Sequence, residues 1–181
     1  MGVRQGLEGV TAFTFVPAQA EHLAAMDAFI FDHGANAWNW LPVDGIREHL
    51  QEVVNGQVQG LLAFDGETLA GMMTYCHTHD YAKYQSAEAA GSVHGYVCEA
   101  VVHRDYAGKG LGAGLLQAAV DDLQAQGMRE VYIDRHEENL ASAGMMRKCG
   151  FVEIDTYVDA RRNNTGSGRT TVCRLRLDVQ A

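Results

Sequence analysis

The sequence predicts a mixed α/β domain, and three observations carry that prediction. Apolar runs of strand length alternate with segments whose apolar residues recur at helical spacing. Asp65-Gly66 lies between two strand-like runs and signals a tight hairpin. From residue 93 to residue 134 a strand, a glycine-rich turn, a long amphipathic helix and a second strand follow one another, the order of a crossover unit.

In chain order, an apolar run at 10–16 ends at Pro17 as a first strand, and Leu23, Met26, Phe29 and Ile30 mark a first helix. The segment from Asp32 to Trp40 is irregular, and loops of this kind carry function more often than helices do. Pro42 and Asp44 are start signals for a second helix bearing Ile46, Leu50, Val53 and Val54, closed near Asn55-Gly56. Residues 58–64 and 67–78 form the hairpin and should pair antiparallel. A polar stretch from Asp80 to Ser92 precedes a central strand at 93–102, interrupted by His94 and Glu99. The clearest helix covers 110–126, with Leu111, Leu115, Leu116, Ala119, Val120 and Leu123 on one face and Gly127 at its end. A short strand follows at Val131-Tyr132-Ile133, Asn139 caps a last helix bearing Met145, Met146 and Cys149, and Gly150 stops it. Phe151 then opens a strand that pairs with 170–177 across the loop from Asn163 to Gly168.

A chain of 181 residues is one ordinary domain, placed here at 8–178. A composition 47% apolar and 20% charged, with two prolines, excludes disorder and collagen. A net charge of −9 repels nucleic acid and suits a neutral or cationic small partner. Apolar runs are too short to cross a membrane, and the first residues carry no apolar signal core. Cys76, Cys98, Cys149 and Cys173 form no Cys-x-x-Cys pair, so reduced thiols in a cytoplasm are expected.

The chemistry concentrates at Ala107-Gly108-Lys109-Gly110-Leu111-Gly112-Ala113-Gly114, between the central strand and the long helix. Glycines leave backbone N–H groups uncovered where a helix start presents free donors and partial positive charge, which makes a pyrophosphate cradle. A Walker loop needs a hydroxyl residue after its lysine, and Gly110 follows Lys109. A dinucleotide fingerprint would place its ribose-binding acid at Asp134, but neither Gly108-x-Gly110 nor Gly110-x-Gly112 meets a third glycine, Ala113 standing formally permitted. A turn that merely tightens packing is the remaining reading.

Val101 to Gly112 resembles the acetyl-CoA loop of the GNAT superfamily of N-acetyltransferases, written Arg/Gln-x-x-Gly-x-Gly/Ala after a valine-ending strand. Asn139, followed by Ala141, Ala143, Met145 and then Lys148-Cys149-Gly150-Phe151, is similar to the family's second signature. The resemblance implies a central, mostly antiparallel sheet of about seven strands with splayed central strands and about four helices. It implies acetyl-CoA as co-substrate, held by Val101, Val102, Ala107, Gly108, Lys109, Gly110, Leu111, Gly112, Ala113 and Asn139, with no metal required. It implies direct attack by a primary amine of a small molecule such as a polyamine, amino acid or aminoglycoside, and it leaves a homodimer open. Two positions depart from the pattern. Ala107 replaces the usual Arg or Gln, so charge on the pyrophosphate must come from Lys109 or another base. Met146 replaces a Tyr that protonates the departing thiolate, and a thioether donates no proton. A GNAT-fold protein that binds acyl-CoA as a non-catalytic sensor is therefore the alternative.

An amine with a pKa near 10 must lose a proton before it attacks, and Glu99 is the candidate base. An acid in an otherwise apolar central strand is expensive unless it is paired or used. Tyr96, three residues earlier, is a candidate to hold substrate or water. Trp38, Trp40, Tyr81 and Tyr84 stand where the family often walls its acceptor pocket. His77 and His79 alternate with Thr78 and share a face, but a metal site would need a third ligand.

Overall fold

The computed structural model describes residues 13–162 and 165–178. Residues 8–12 of the expected domain, which include the start of the first apolar run, and Asn163 and Asn164 of the closing loop lie outside the described residues. Seven strands make one sheet: β1 (Thr14–Pro17), β2 (Gln59–Asp65), β3 (Thr68–Thr78), β4 (His94–Val102), β5 (Glu130–His136), β6 (Val152–Val158) and β7 (Arg169–Arg176). Their spatial order is β1-β2-β3-β4-β5-β7-β6. Four α-helices accompany them: α1 (Leu23–His33), α2 (Val43–Val54), α3 (Leu111–Ala125) and α4 (Leu140–Lys148). The α/β class, the strand number and the helix number agree with expectation.

Alternation along the strands feeds two cores. Leu62, Met72 and Val101 pack with Met26, Ile30, Ile46 and Leu50 of α1 and α2. Ala63, Met73 and Val97 pack on the opposite face with Leu115, Leu116, Ala119 and Leu123 of α3 and with Met146 of α4. Burying both faces in this way is what fixes the register, because a one-residue slip would exchange them.

Two backbone irregularities open the middle of the sheet. Strands β4 and β5 run parallel but pair only at Gly95↔Val131, Tyr96↔Tyr132 and Val97↔Ile133, so beyond Val97 they part, as the expected splay requires. Between β3 and β4 the register jumps from Tyr75↔Val97 to Thr74↔Glu99, leaving Cys98 as a bulged residue at the same level. A bulge bends its strand and re-aims the side chains beyond it.

Two boundaries differ from the sequence reading. The hairpin turn centres on Gly66 and Glu67, one residue later than the Asp65-Gly66 dipeptide, since Asp65 pairs with Thr68. Only Gly66 there uses positive φ, at 58°. The short strand expected at 131–133 runs from Glu130 to His136, because β7 pairs along all of it. Arg135 and His136, which look like loop residues, are buried with partners: Arg135 donates to the His136 carbonyl, and His136 Nε2 meets the Thr165 carbonyl at 2.8 Å.

Candidate active site

Helix α3 begins abruptly after β4, and the turn between them is built on left-handed backbone at Gly108 (φ 75°) and Gly110 (φ 82°). Residues with a Cβ resist that conformation. A Cβ placed at either glycine would project into open space, so conformation and access, rather than packing, explain both. Gly110 is the N-cap, and the first bond of the helix runs from the Gly114 N–H to the Gly110 carbonyl at 3.0 Å. The N–H groups of Leu111, Gly112 and Ala113 precede it and point out of the helix start, where an anion is favoured.

This turn is one wall of a cleft of about 510 Å³. Val101 and Val102 of β4, the turn residues Ala107, Gly108, Gly110, Leu111, Gly112 and Ala113, and Asn139 at the head of α4 all line it. Asn139 also caps α4, its side-chain oxygen accepting from the Ser142 N–H at 3.1 Å. Of the expected cofactor-binding residues only Lys109 does not line the cleft; its ammonium lies over the Tyr106 ring, 5.0 Å from the centroid. Lys148, on the last turn of α4, does line it and is a base that the motif did not single out. The cradle of free N–H groups and open glycines fits a phosphate-bearing cofactor, with Lys148 as the cation within reach.

Where β4 and β5 part, a second cavity of about 270 Å³ opens beside the cleft and shares Asn36, Asn39, Ala100, Asn139, Ser142 and Met145 with it. Glu99 and Tyr96 line this cavity together. In a regular strand, residues three apart face opposite sides. The Cys98 bulge resets the alternation and brings Glu99 to the Tyr96 side. The bulge is secured by the Thr74 hydroxyl, which accepts from the Glu99 N–H at 3.1 Å and meets His49 Nε2 at 2.8 Å. Cys98 faces Cys76 across the strands, Sγ to Sγ 3.7 Å, and all four cysteines are free thiols.

The Glu99 carboxyl is pushed up to about 7, first by burial and then by the Asp134 carboxylate, with the Arg162 guanidinium opposing. Near neutral pH it is therefore poised between proton acceptor and donor. Burial and the same Asp134 charge hold the Tyr96 phenol far above its ordinary range, so Tyr96 remains a hydroxyl donor. It donates to Asp134 Oδ2 at 3.1 Å.

The four aromatic residues expected at the acceptor pocket divide. Trp40 lines the cavity and is 67% exposed. Trp38 lies tilted against His136, 4.8 Å between centroids, and its carbonyl accepts from Arg162. Tyr81 lies behind Tyr96, stacked at 5.0 Å, and donates to Asp134 Oδ2 at 2.8 Å. Tyr84 points elsewhere, its hydroxyl on Asp155. His77, on β3, pairs with Gly95 of β4, and His79 lies past the end of β3. No group of three metal-ligating side chains occurs among the described residues. Met146 is 2% exposed and belongs to the α3 core while touching the cavity wall. Arg161 and Arg162, which line the cavity from the β6–β7 connection, carry no active-site signal in the sequence, and Asp134, which lines it from β5, carries one only as the ribose-binding acid of a dinucleotide fingerprint.

The chain matches the model of the "Acetyltransferase (GNAT) family" over residues 23–151. Among solved structures it resembles a GNAT-family acetyltransferase from Streptococcus pneumoniae, with 22% identity and a TM-score of 0.72 over 92% of this chain and 100% of that one. Arabidopsis thaliana NAA60 in complex with acetyl-CoA aligns at 16% identity and a TM-score of 0.75, over 92% of this chain and 99% of the other. An IAA acetyltransferase from Bacillus cereus aligns at 15% identity and 0.67, over 92% and 100%. At these identities the likeness establishes the fold. No curated protein sequence matches the chain.

Proposed function

The chain belongs to the GNAT acetyltransferase family, whose chemistry is acetyl-CoA-dependent acyl transfer, and on that premise we propose that its acceptor is the primary amine of a small molecule, attacked directly in a ternary complex. The observation that carries the reading is the junction of the glycine-walled cleft with a smaller cavity lined by the Glu99 carboxyl. The proposed domain covers 8–178.

Acetyl-CoA, when bound, supplies an activated thioester carbonyl. Backbone N–H groups of Leu111, Gly112 and Ala113 hold its pyrophosphate, and Lys148 adds charge from α4. The edge of β4 from Cys98 to Val102, released by the splay from pairing with β5, offers N–H and C=O groups to the pantetheine arm and an oriented N–H to the developing oxyanion. Glu99 takes the proton from the amine nitrogen, and Tyr96 fixes the amine or a relaying water by its hydroxyl. The C–S bond breaks as the C–N bond forms, and the departing CoA thiolate takes its proton from solvent water, since Met146 has no proton to give.

A cavity of about 270 Å³ suits a small acceptor, and the −9 net charge favours a cationic one such as a polyamine or aminoglycoside, with amino acids as the third class. The test is release of free CoA thiol with a panel of those amines. Turnover of one small amine with micromolar acetyl-CoA binding is expected. Tight acetyl-CoA binding without turnover across amines and pH would favour a non-catalytic acyl-CoA sensor instead.

A further inference from the structure

Three separated segments meet on one carboxylate, that of Asp134, at the back of the acceptor cavity. The Tyr81 hydroxyl, from the connection after β3, and the Tyr96 hydroxyl, from β4, both donate to Asp134 Oδ2, at 2.8 and 3.1 Å. Arg162, from the β6–β7 connection, reaches Asp134 Oδ1 at 3.4 Å. The same guanidinium donates to the Trp38 carbonyl at 2.9 Å and to the Thr170 hydroxyl at 2.7 Å, which ties the α1–α2 loop into the group. The Asp134 side chain is 10% exposed and that of Arg162 is 19% exposed.

The pattern is more than packing. Two phenols spending their hydrogens on one carboxylate oxygen keep their own oxygens as acceptors, and that of Tyr96, which lines the cavity, is the one an ammonium could meet, while Tyr81 buttresses it from behind. The β4–β5 pairing Tyr96↔Tyr132 stacks the ring of Tyr81 against both, with centroids 5.0 and 5.1 Å away, so those oxygens have little freedom to move. Asp134 also stands close enough to Glu99 for each charge to be felt by the other.

We propose that Asp134 is the positioning residue of the acceptor site, holding Tyr96 and Arg162 in one arrangement at the amine, with Tyr81 bracing Tyr96 from behind, and presenting a second carboxylate beside Glu99. The proposal rests on the acceptor reading given above. An acceptor with a cationic centre is the ligand class it selects. The charged and titratable groups around Glu99 are Asp134, Arg135 and His136 on β5, Arg161 and Arg162 after β6, Tyr96 and Cys98 on β4, and His49 of α2 through Thr74. Asp134 is the one among them whose negative charge favours the protonated form of Glu99 most.

The test is Asp134→Asn, which keeps shape and one acceptor oxygen. In steady-state kinetics the acceptor KM should rise tenfold or more while the acetyl-CoA KM stays within twofold. In the substrate-free protein, carboxyl NMR should show the Glu99 midpoint moving to lower pH, because a like charge has been removed. Equal changes in both KM values, or a Glu99 midpoint that stays in place, would overturn the proposal. If the wild type turns over no amine, the transferase reading fails by itself, and the NMR midpoint still decides whether Asp134 acts on Glu99. Tyr81→Phe guards against a folding defect: it should raise the acceptor KM by a smaller factor and leave the midpoint where it was, whereas an unchanged KM would count against the arrangement.

Discussion

Glu99→Gln separates catalysis from stability, and the two should move in opposite directions. In the folded protein the Glu99 carboxyl is pushed up to about 7, mainly by burial and then by Asp134, from an ordinary value of 4.5. A shift of that size corresponds to about 3 kcal/mol of differential interaction. The folded state holds the proton more tightly than the unfolded chain, so this stability is fully present below about pH 4.5. It is lost as pH rises through about 7. Gln, neutral at every pH, escapes the loss. The stability of the Gln variant relative to wild type should therefore improve by about 2.5 kcal/mol between about pH 5 and pH 8.5, measured by denaturant unfolding at each pH. Over the same range the wild-type rate should climb through about pH 7 as the base ionises. The variant should lose that limb and fall roughly 100-fold in turnover. A stability difference that does not change with pH would refute the burial argument, and a variant with full activity and an intact pH profile would move the base elsewhere.

Three further substitutions probe the cleft. Gly110→Ala forces a Cβ into left-handed backbone and should cost about 1–2 kcal/mol of stability. It should also weaken acetyl-CoA by more than tenfold in calorimetric titration, since the new methyl enters the open approach to the N–H cradle. Asn139→Ala removes the cap on α4 and should lower stability by about 1 kcal/mol in thermal unfolding, with a modest rise in acetyl-CoA Kd. Met146→Leu, a volume-conserving change in the α3 core, should cost less than about 1.5 kcal/mol and leave kcat within threefold. A large kcat loss there in a folded variant would give Met146 a role the thioether chemistry does not explain.

The elements that could be read in advance are those with local signals. The long helix shows itself through Leu111, Leu115, Leu116, Ala119 and Leu123 at helical spacing, and all of them are buried. The cleft could be read because its glycines serve a local purpose, the left-handed turn at Gly108 and Gly110. That Lys109 stays off the cleft lining could not be read, because a sequence shows that a cation is near the turn but not that its side chain folds back over Tyr106. Lys148 did the reverse: it joins the cleft only because α4 packs beside α3. The length of β5 was hidden by Asp134, Arg135 and His136, whose polarity argues for a loop until β7 pairs with them and supplies burial partners.

The acceptor site lies at two places in the middle of the sheet where it departs from regularity, and neither has a sequence marker. Val97-Cys98-Glu99-Ala100 contains no Gly or Pro and reads as uninterrupted strand, yet the bulge at Cys98 decides on which face Glu99 lies. Without it, Glu99 would turn toward the α3 core, where a carboxylate would be buried among Leu and Val side chains at prohibitive cost. The splay has the same logic. If β4 and β5 stayed paired to their ends, no backbone edge would be free and no cavity would separate Glu99 from Asp134. Two like charges are tolerable there because each has an outlet: Asp134 is held by two phenols and a guanidinium, while the Glu99 carboxyl, which has no hydrogen-bond partner among the described residues, takes up a proton near neutral pH. That asymmetry is what a proton acceptor needs, one carboxylate pinned and the other available, and it arises from backbone geometry that places residues 35 positions apart in one cavity.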